Sequence, residues 1–349
     1  MRIDRHDSDP RPRLTGPRHR LRLEAKRRRL LWRIYRGRRA LSRVSHRTAT
    51  IGPEDILLFA CVKDEIAQLP GFLAHHRALG VGHMLIVDNG STDGTAEHLA
   101  AQEDVSLWTA RGSYKAARFG MDWLGALQWK FGTGHWCLTV DGDEFLTYAD
   151  APERSLPQLA AELEADGREA LGALMLDLYP KGRLTEGGAP RWFDPAGYRY
   201  QRHRVFGHVW IQGGLRERAH FASEPLKSPT LNKVPFVRWR RGFAYVTSTH
   251  FLLPSRLNDG FPVEGASCPT GVLLHRKFGP ASVARAQDAA HRQEHFENSA
   301  AYEGYYEALA SDPDYWTEAS VAYEGPDQLL ALGLMDRGGL PVVRAARRA

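Results

Sequence analysis

Two short polar segments of this sequence carry the residue types that could do chemistry. The first is Val140-Asp141-Gly142-Asp143-Glu144, in which three carboxylates follow an apolar run. Like charges this close are costly unless a cation or hydrogen-bond donors compensate them. Hard divalent cations take oxygen ligands and often combine one or two carboxylates with substrate phosphates. The spacing therefore indicates a metal that also holds a diphosphate, although an acidic surface turn has the same pattern.

The second segment is Val87-Asp88-Asn89-Gly90-Ser91-Thr92-Asp93-Gly94-Thr95, which follows a predicted strand and opens a predicted helix. Its glycines let a ligand approach the backbone closely, and a carboxylate at a strand end can accept hydrogen bonds from a base or ribose. An ordinary strand-to-helix turn with Asp93 as N-cap is the alternative. The two segments lie about 50 residues apart at two strand ends of one predicted sheet, and each strengthens the other.

Two basic residues between these segments, Lys115 and Arg118, are predicted to lie three residues apart on one helix face. They could neutralise phosphate charge or form ion pairs within the protein. We favour a ligand role for Arg118.

The elements that must position these residues alternate between strand and helix. Short apolar runs predict buried strands, and longer periodic segments predict helices. This alternation predicts an α/β fold with a doubly wound, mostly parallel sheet and ligands at the carboxyl ends of its strands. The predicted strands are Ile56–Val62, His83–Asp88, Val105–Trp108, Trp136–Val140 and Leu171–Leu178; the predicted helices are Glu65–Leu79, Asp93 or Thr95 to about Gln102, Tyr114–Phe131 and Ala281–Ala310.

Residues 180–275, rich in Gly, Pro, Arg and aromatic residues, are expected to be irregular. Residues 20–46 predict a basic helix with leucines at helical spacing. Such a helix could lie on an anionic membrane surface, or it could be a solvated tail or pack on its own domain.

The charge of the chain is divided unevenly. Residues 1–50 hold 17 Lys/Arg and 4 Asp/Glu, a net of +13, and the remaining 30 Lys/Arg and 37 Asp/Glu give a net of −7. A basic pI therefore does not indicate nucleic-acid binding by the whole protein, and none is expected. Three scattered cysteines argue against a disulfide framework, and we expect a cytoplasmic protein without a signal peptide.

Taken together, these motifs resemble the bacterial family 2-like glycosyltransferases that contain a D-x-D. The resemblance covers about residues 25–335. It implies a GT-A fold, a nucleotide-diphosphate sugar donor, Mn²⁺ or Mg²⁺, and a saccharide or lipid-linked acceptor in surface polysaccharide or glycoconjugate assembly. The matching segments are Lys63-Asp64-Glu65, VDNGSTDGT, Ala117-Arg118-Phe119-Gly120, the D-x-D at Asp141–Asp143, Leu231-Asn232-Lys233-Val234-Pro235, Ser248-Thr249-His250, Leu273-Leu274-His275 and Tyr323-Glu324-Gly325-Pro326.

The resemblance also implies a division of the chain. Residues 1–50 would form the basic N-terminal arm and helix, and residues 51–150 the nucleotide-sugar-binding half of the GT-A domain. Residues 151–335 would form an irregular acceptor-side half, and residues 336–349 a C-terminal tail.

Individual roles follow from the same resemblance. Asp64, Asp88 and Asn89 would contact the base and ribose, and Arg118 and Arg276, with Lys277, the diphosphate. Asp141 would contact the ribose or the metal, and Asp143 would ligate the metal. A downstream histidine would complete the metal site, with His275 as the first candidate and His250 as the second.

A general base must deprotonate the acceptor hydroxyl. Many inverting family 2 glycosyltransferases carry an acidic pair that supplies this base, and the sequence has no clear copy of it, so the stereochemical outcome stays open. Glu217 is our first candidate, because Arg216 and Arg218 flank it and favour its charged form. Glu224, Asp177 and Glu264 are alternatives.

Two other functions remain open. A nucleotidyltransferase acting on sugar phosphates usually carries a Gly-rich loop near the first strand, where this chain reads Ala60-Cys61-Val62-Lys63-Asp64-Glu65. A non-catalytic binding protein would act through the basic N-terminal arm on nucleic acid or acidic lipid. The expected cytoplasmic location includes a peripheral position on the inner face of the cell membrane, through residues 20–46.

Overall fold

The computed structural model describes residues 4–5, 16–202, 209–261, 267–291 and 299–343, and shows a mixed α/β fold. The strands are β1 (Asp4–Arg5), β2 (Leu41–Ser45), β3 (Ile56–Val62), β4 (Val81–Asp88), β5 (Val105–Ala110), β6 (Trp136–Thr139), β7 (Glu144–Tyr148), β8 (Ala170–Asp177), β9 (Trp192–Phe193), β10 (Tyr198–Arg202), β11 (Val209–Gly213), β12 (Asn232–Arg238), β13 (Ala244–Thr247), β14 (Phe251–Leu253), β15 (Thr270–His275) and β16 (Val321–Ala322). The helices are α1 (Pro17–Gly37), α2 (Leu69–Ala78), α3 (Thr95–Ala100), α4 (Met121–Leu127), α5 (Leu156–Ala165), α6 (Gly214–His220), α7 (Pro280–His291), α8 (Ser299–Ala310) and α9 (Pro326–Ala331).

The central sheet has nine strands in the order β2-β5-β4-β3-β6-β12-β8-β15-β7. Strands β3, β4, β5, β6, β8 and β15 run in one direction, whereas β2, β12 and β7 run against it. The predicted large, mostly parallel sheet is therefore confirmed at this level. The remaining strands form three small sheets, β1-β10-β11, β13-β14 and β16-β9.

Strand β3 shows why these residues form the centre of the sheet. All seven of its side chains are buried, and they alternate between two apolar clusters. Leu58 packs into the cluster that contains Leu69 of α2, whereas Phe59 packs into the one that contains Leu124 of α4. A strand covered by helices on both faces must be apolar on both, and each such buried side chain stabilises the fold by about 1.5–3 kcal/mol.

Several predicted boundaries and elements are wrong. In place of the helix predicted over Tyr114–Phe131, the structure has only α4 and a π-helical turn over Gln128–Gly132. Arg118, Phe119 and Gly120 have φ of 55°, 57° and 76°, which no right-handed helix contains. The expectation that Lys115 and Arg118 share a helix face therefore fails.

Residues 180–275, expected to be irregular, contribute two strands to the central sheet. β12 lies between β6 and β8, and β15 lies between β8 and β7. Lys233 and Pro235 interrupt the apolar residues of β12, so the residue pattern does not predict this strand. The pairing of β12 with β8 shifts register between Lys233 and Phe236, which accommodates a proline that has no backbone N–H to donate.

The N-terminal helix α1 ends at Gly37, and Leu41–Ser45 then add an edge strand to the central sheet, so the helix predicted up to residue 46 is too long. Leu30 and Ile34 of α1 are buried in an apolar cluster with side chains of β13 and β14. A Cβ at Gly125 of α4 would lie 2.8 Å from Ile34, so this glycine permits the close approach of the two helices. Within the described residues, no helix is long and apolar enough to cross a membrane.

Candidate active site

Asp143 and His275 meet in space although 132 positions separate them in the chain. Asp143 follows β6, and His275 is the last residue of β15, where the register pairs it with Asp177 on β8. The Asp143 Oδ2 atom lies 3.3 Å from His275 Nε2, and His275 Nδ1 lies 2.6 Å from Asp177 Oδ1. The structure thus brings together two of the three residues proposed as metal ligands, Asp143 and His275, and it adds Asp177 behind the imidazole.

The charges of this cluster are coupled. Burial alone would lower the pKa of His275, but the carboxylates of Asp143 and Asp177 outweigh it and raise this pKa to about 9. Burial alone would raise the pKa of Asp143, but His275 and Lys277 outweigh it and hold this pKa below its ordinary range. In the metal-free protein His275 is therefore protonated and supplies the positive charge beside Asp143.

The donor set fits a hard or borderline divalent cation. An Asp oxygen and a His nitrogen face each other, and the second ring nitrogen of His275 is held by a carboxylate, as is usual for metal-bound histidines. No group of three or more His, Cys, Asp or Glu that could hold a metal occurs among the described residues. The chain would therefore supply two ligands, with phosphate and water oxygens completing the shell, as Mg²⁺ commonly accepts.

A buried lysine lies beneath the D-x-D turn. Lys233 Nζ is 2.8 Å from Glu144 Oε1 and 3.3 Å from Asp141 Oδ2. Burial would lower the pKa of Lys233, but Glu144 and Asp141 outweigh it and raise this pKa. No role was predicted for Lys233, although it belongs to the Leu231–Pro235 segment on which the family resemblance rests. Because Lys233 neutralises Asp141, the prediction that Asp141 ligates a metal gains no support from this geometry.

The loops after β3 and β4 are held together by the side chains predicted to bind a nucleotide. Asp64 Oδ1 accepts from Thr92 N at 2.7 Å, and the Asp88 carboxylate accepts from Gly90 N at 3.1 Å. Asn89 Nδ2 donates to the carbonyls of Ala110, the last residue of β5, and Gly112, at 3.2 and 3.3 Å. These hydrogen bonds show that all three side chains stabilise the loops, and their contacts with a nucleotide stay predictions.

Glu65 is a further acidic group of the site, quoted in a motif above but given no role there. Burial raises its pKa to about 7, and the nearby Asp143 carboxylate adds to this effect. Its Oε1 lies 3.4 Å from Arg285 of α7. A Cβ at Gly142 would lie 3.5 Å from Glu65 Cγ, so Glu65 packs directly against the middle of the D-x-D turn.

Glu217, the predicted base, does not join the cluster. Its carboxylate is paired with Arg199 and accepts from Ser228 Oγ at 3.2 Å. The preceding residue of α6, Arg216, is the one that reaches Asp177 at 2.7 Å and His275 Nδ1 at 3.1 Å. Consecutive helical residues point about 100° apart, so Glu217 faces elsewhere.

Of the alternative acids, Asp177 belongs to the cluster, behind His275, whereas the described contacts of Glu224 and of the second histidine, His250, lie elsewhere. Glu224 pairs with Lys227 at 2.5 Å on the surface, and Glu264 lies outside the described residues. His250 Nδ1 is 2.7 Å from the carbonyl oxygen of Asn232. Within the described part of the chain, these contacts of Glu217, Glu224 and His250 do not include the D-x-D turn.

The predicted phosphate-binding cations differ in their surroundings. Arg118 donates from Nε and Nη2 to one oxygen of Asp122, Oδ1, at 2.8 and 2.6 Å, and from Nη1 to the Tyr245 carbonyl, which ties it to α4 and β13. These bonds satisfy its guanidinium, so its phosphate role gains no support. Arg276 is half-exposed, and its backbone N–H donates to the Asp143 carbonyl at 2.8 Å. Arg276 and Lys277 therefore border the candidate metal position.

No protein-family model matches the sequence, and no curated protein matches it. The site geometry and the motifs therefore carry the functional inference.

Proposed function

We propose that the protein is a metal-dependent glycosyltransferase of the GT-A type, which moves a sugar from a nucleotide-diphosphate donor to an acceptor hydroxyl. The observation that carries the proposal is the Asp143–His275 pair, with His275 held by Asp177 at 2.6 Å. Asp143 belongs to the D-x-D turn that follows central strand β6, and His275 lies beside this turn. The mixed α/β fold with its large central sheet is compatible with this type.

The residues of the chain divide the work of such a reaction. Asp143 and His275 would hold a Mn²⁺ or Mg²⁺ ion, which when bound stabilises the charge that develops on the leaving diphosphate. Arg276 and Lys277, next to His275, would contact the same diphosphate oxygens. The loops that contain Asp64 and Asp88 would hold the nucleoside.

Glu65 replaces Glu217 as our candidate for the general base. A base works best when its pKa lies near the operating pH, and burial raises that of Glu65 to about 7. Glu65 also packs against Gly142 of the D-x-D turn, whereas Glu217 is paired with Arg199. The acceptor would be a saccharide or lipid-linked saccharide in a cytoplasmic assembly pathway for surface polysaccharides.

A thermal-shift panel of nucleotide sugars, with and without Mn²⁺, tests the proposal. A donor at about 100 times its Kd adds about 2.7 kcal/mol to the stability of the native state. We expect a rise in Tm with one donor class in the presence of Mn²⁺, and no rise for Asp143→Asn. Asp166→Asn, at an exposed residue paired with Arg168, is the matched control and should respond like the wild type.

Turnover provides the second measurement. Sugar transfer releases a nucleoside diphosphate, whereas nucleotidyl transfer releases pyrophosphate, so the product distinguishes the two enzymes. If no donor shifts Tm, or if Asp143→Asn retains wild-type turnover with saturating metal, the protein is not a metal-dependent transferase of this kind.

A further inference from the structure

A cavity of about 710 Å³ lies between the C-terminal end of α1, β2 and the end of α4. None of its lining residues belongs to the Asp143–His275 site. Its size is within the range of pockets that bind small organic ligands, about 300–1,000 Å³. The cavity is therefore a second candidate binding site that sugar transfer does not use.

The rim of this cavity is strongly cationic. Five exposed basic side chains line it, and none of the described lining residues is acidic. Arg38 lies over the Tyr35 ring at 3.9 Å, and Lys130 lies over the Phe131 ring at 4.8 Å. Such a rim attracts a phosphate or other anion. The five residues are Arg38, Arg39, Arg43, Lys130 and Arg241.

The floor of the cavity is aromatic. Trp129 is half-buried and contacts Tyr35 edge-on, with ring centroids 6.5 Å apart. Phe131 packs against the buried Trp108 at 5.8 Å. A ligand whose anionic group binds at the rim and whose remainder contacts these aromatic rings must carry an apolar portion, because aromatic surface favours apolar contact.

An exposed stripe of three apolar residues and one arginine on α1 leads to the same cavity. Leu21, Arg28, Trp32 and Tyr35 follow one another at spacings of seven, four and three residues, which places them on one side of a helix. Leu21 is 68% exposed and Trp32 57%, and Tyr35 also lines the cavity. Arg36 lies over the Trp32 ring at 4.7 Å, so charge and aromatic surface alternate along this stripe.

The charge around the stripe is almost entirely positive. Residues 16–47 hold 13 Lys/Arg and one acidic residue, Glu24, which is paired with Arg27 and Arg28. A basic, aromatic-bearing helix face is the usual partner of an anionic lipid surface. A nucleic-acid backbone would match the charge but would leave Leu21 and Trp32 without apolar partners.

We propose that this face, formed by α1 and β2, binds an anionic membrane, and that the cavity takes the phosphate head group and first acyl carbons of one phospholipid. The arginine rim would bind the phosphate, Trp129 and Phe131 would contact the acyl carbons, and Leu21 and Trp32 would enter the interface. Docking of this kind would hold the enzyme where lipid-linked acceptors lie. It goes beyond the proposed transfer reaction, which could equally use a soluble acceptor.

Co-sedimentation of the full chain with vesicles tests the proposal. The vesicles contain phosphatidylcholine alone, or phosphatidylcholine with phosphatidylglycerol at about one lipid in four. We expect binding to the phosphatidylglycerol vesicles that weakens as salt is raised, and little binding to phosphatidylcholine alone. Equal binding to both vesicles, or to neither, would overturn it.

Two matched double variants separate the cavity from general electrostatics. Arg38→Gln/Arg43→Gln removes two rim charges and should weaken vesicle binding about thirtyfold. Arg22→Gln/Arg29→Gln removes two charges of α1 that are also exposed but do not line the cavity, and should weaken binding less than about fivefold because they would act on the membrane only at a distance, where salt screens them, and would not contact the bound phosphate. Equal weakening by the two variants would refute the lipid site in the cavity.

Two further measurements exclude other causes. Thermal unfolding should show that both double variants retain the wild-type Tm, since the substituted side chains are exposed. Trp32→Ala should also weaken vesicle binding, because it removes an exposed ring from the stripe. If duplex DNA displaced the protein from the vesicles at equal phosphate concentration, the surface would be a nucleic-acid site and the lipid proposal would fail.

Discussion

Replacing Lys233 by methionine tests whether the D-x-D turn depends on the buried charge cluster beneath it. The side chains of Lys233 and Glu144 are 3% and 1% exposed, with Nζ 2.8 Å from Oε1. At an effective dielectric constant of about 20, that separation corresponds to about 6 kcal/mol of attraction, part of which offsets the desolvation of Lys233 itself. The methionine would fill the space but leave the Glu144 carboxylate buried without its cation.

Removing one partner of a buried ion pair typically costs about 3–5 kcal/mol, so we expect Lys233→Met to lower the free energy of unfolding by about 4 kcal/mol. For a chain of this length, with an unfolding entropy of about 2.1 cal/mol/K per residue, that corresponds to a fall in Tm of about 5 °C. Urea denaturation followed by circular dichroism measures the loss. The loss should shrink at acidic pH, because burial raises the pKa of Glu144 and protonation removes the uncompensated charge.

Two control variants define what would refute this reasoning. Lys233→Met/Glu144→Gln removes both charges and should recover at least half of the lost stability. Lys227→Met breaks an ion pair with Glu224 in which both side chains are more than half exposed, and should cost less than about 1 kcal/mol. If Lys233→Met costs no more than Lys227→Met, or if the double variant is no more stable than the single one, the cluster does not support the turn.

Three further predictions concern stability. His76 is fully buried with no partner for Nε2, and burial lowers its pKa to about 3 from an ordinary value of 6.5. The folded protein therefore holds His76 neutral, and folding is not opposed by this residue above pH 6.5. As the pH falls from 6.5 towards 3, the unfolded chain binds a proton that the folded protein does not, and the free energy of unfolding falls by up to about 5 kcal/mol. In His76→Leu, pH-dependent denaturation should show a flatter loss over this range, and an unchanged slope would contradict the assignment. A Cβ at Gly172 would lie 2.3 Å from a backbone carbonyl oxygen, so Gly172→Ala should destabilise by more than about 2 kcal/mol, whereas Gly71→Ala, at a helical glycine with open space around it, should be neutral or stabilising in the same urea titration. Ser155 accepts from the third residue of α5 in a capping box, so Ser155→Ala should lower Tm by the equivalent of about 1 kcal/mol, and no change would show that the cap is dispensable.

The strands of the nucleotide-side half were accessible from the sequence because their signals are local. Ile56–Val62 reads as a short, uninterrupted apolar run, and the structure places all seven residues in a buried strand. The D-x-D and VDNGSTDGT segments were likewise placed at strand ends by the alternation of strand and helix. Local patterns fail where special backbone conformations intervene, as at Arg118–Gly120, because the helical pattern read there does not reveal the positive φ values that interrupt the helix.

Contacts between distant segments were accessible only in part. His275 was proposed as a metal ligand together with Asp143 from motif resemblance; the structure places its Nε2 atom 3.3 Å from Asp143 Oδ2, and their metal role stays a prediction. Glu217 was chosen for its flanking arginines, but the direction of α6 turns Arg216 towards Asp177 and leaves Glu217 with Arg199. Sequence neighbours on a helix point in different directions, so adjacency in the chain did not establish which one faced the site.

The sequence by itself determined that acidic residues follow an apolar strand, where a cation or hydrogen-bond donors must compensate their charge. Only the tertiary structure decided which cations compensate it. Lys233 lies 90 or more positions from Asp141 in the chain, yet the insertion of β12 beside β6 brings its Nζ within 3.3 Å of the carboxylate. Charge compensation depends on distance in a low-dielectric interior, and that distance is set by strand order and register, which local residue patterns do not encode.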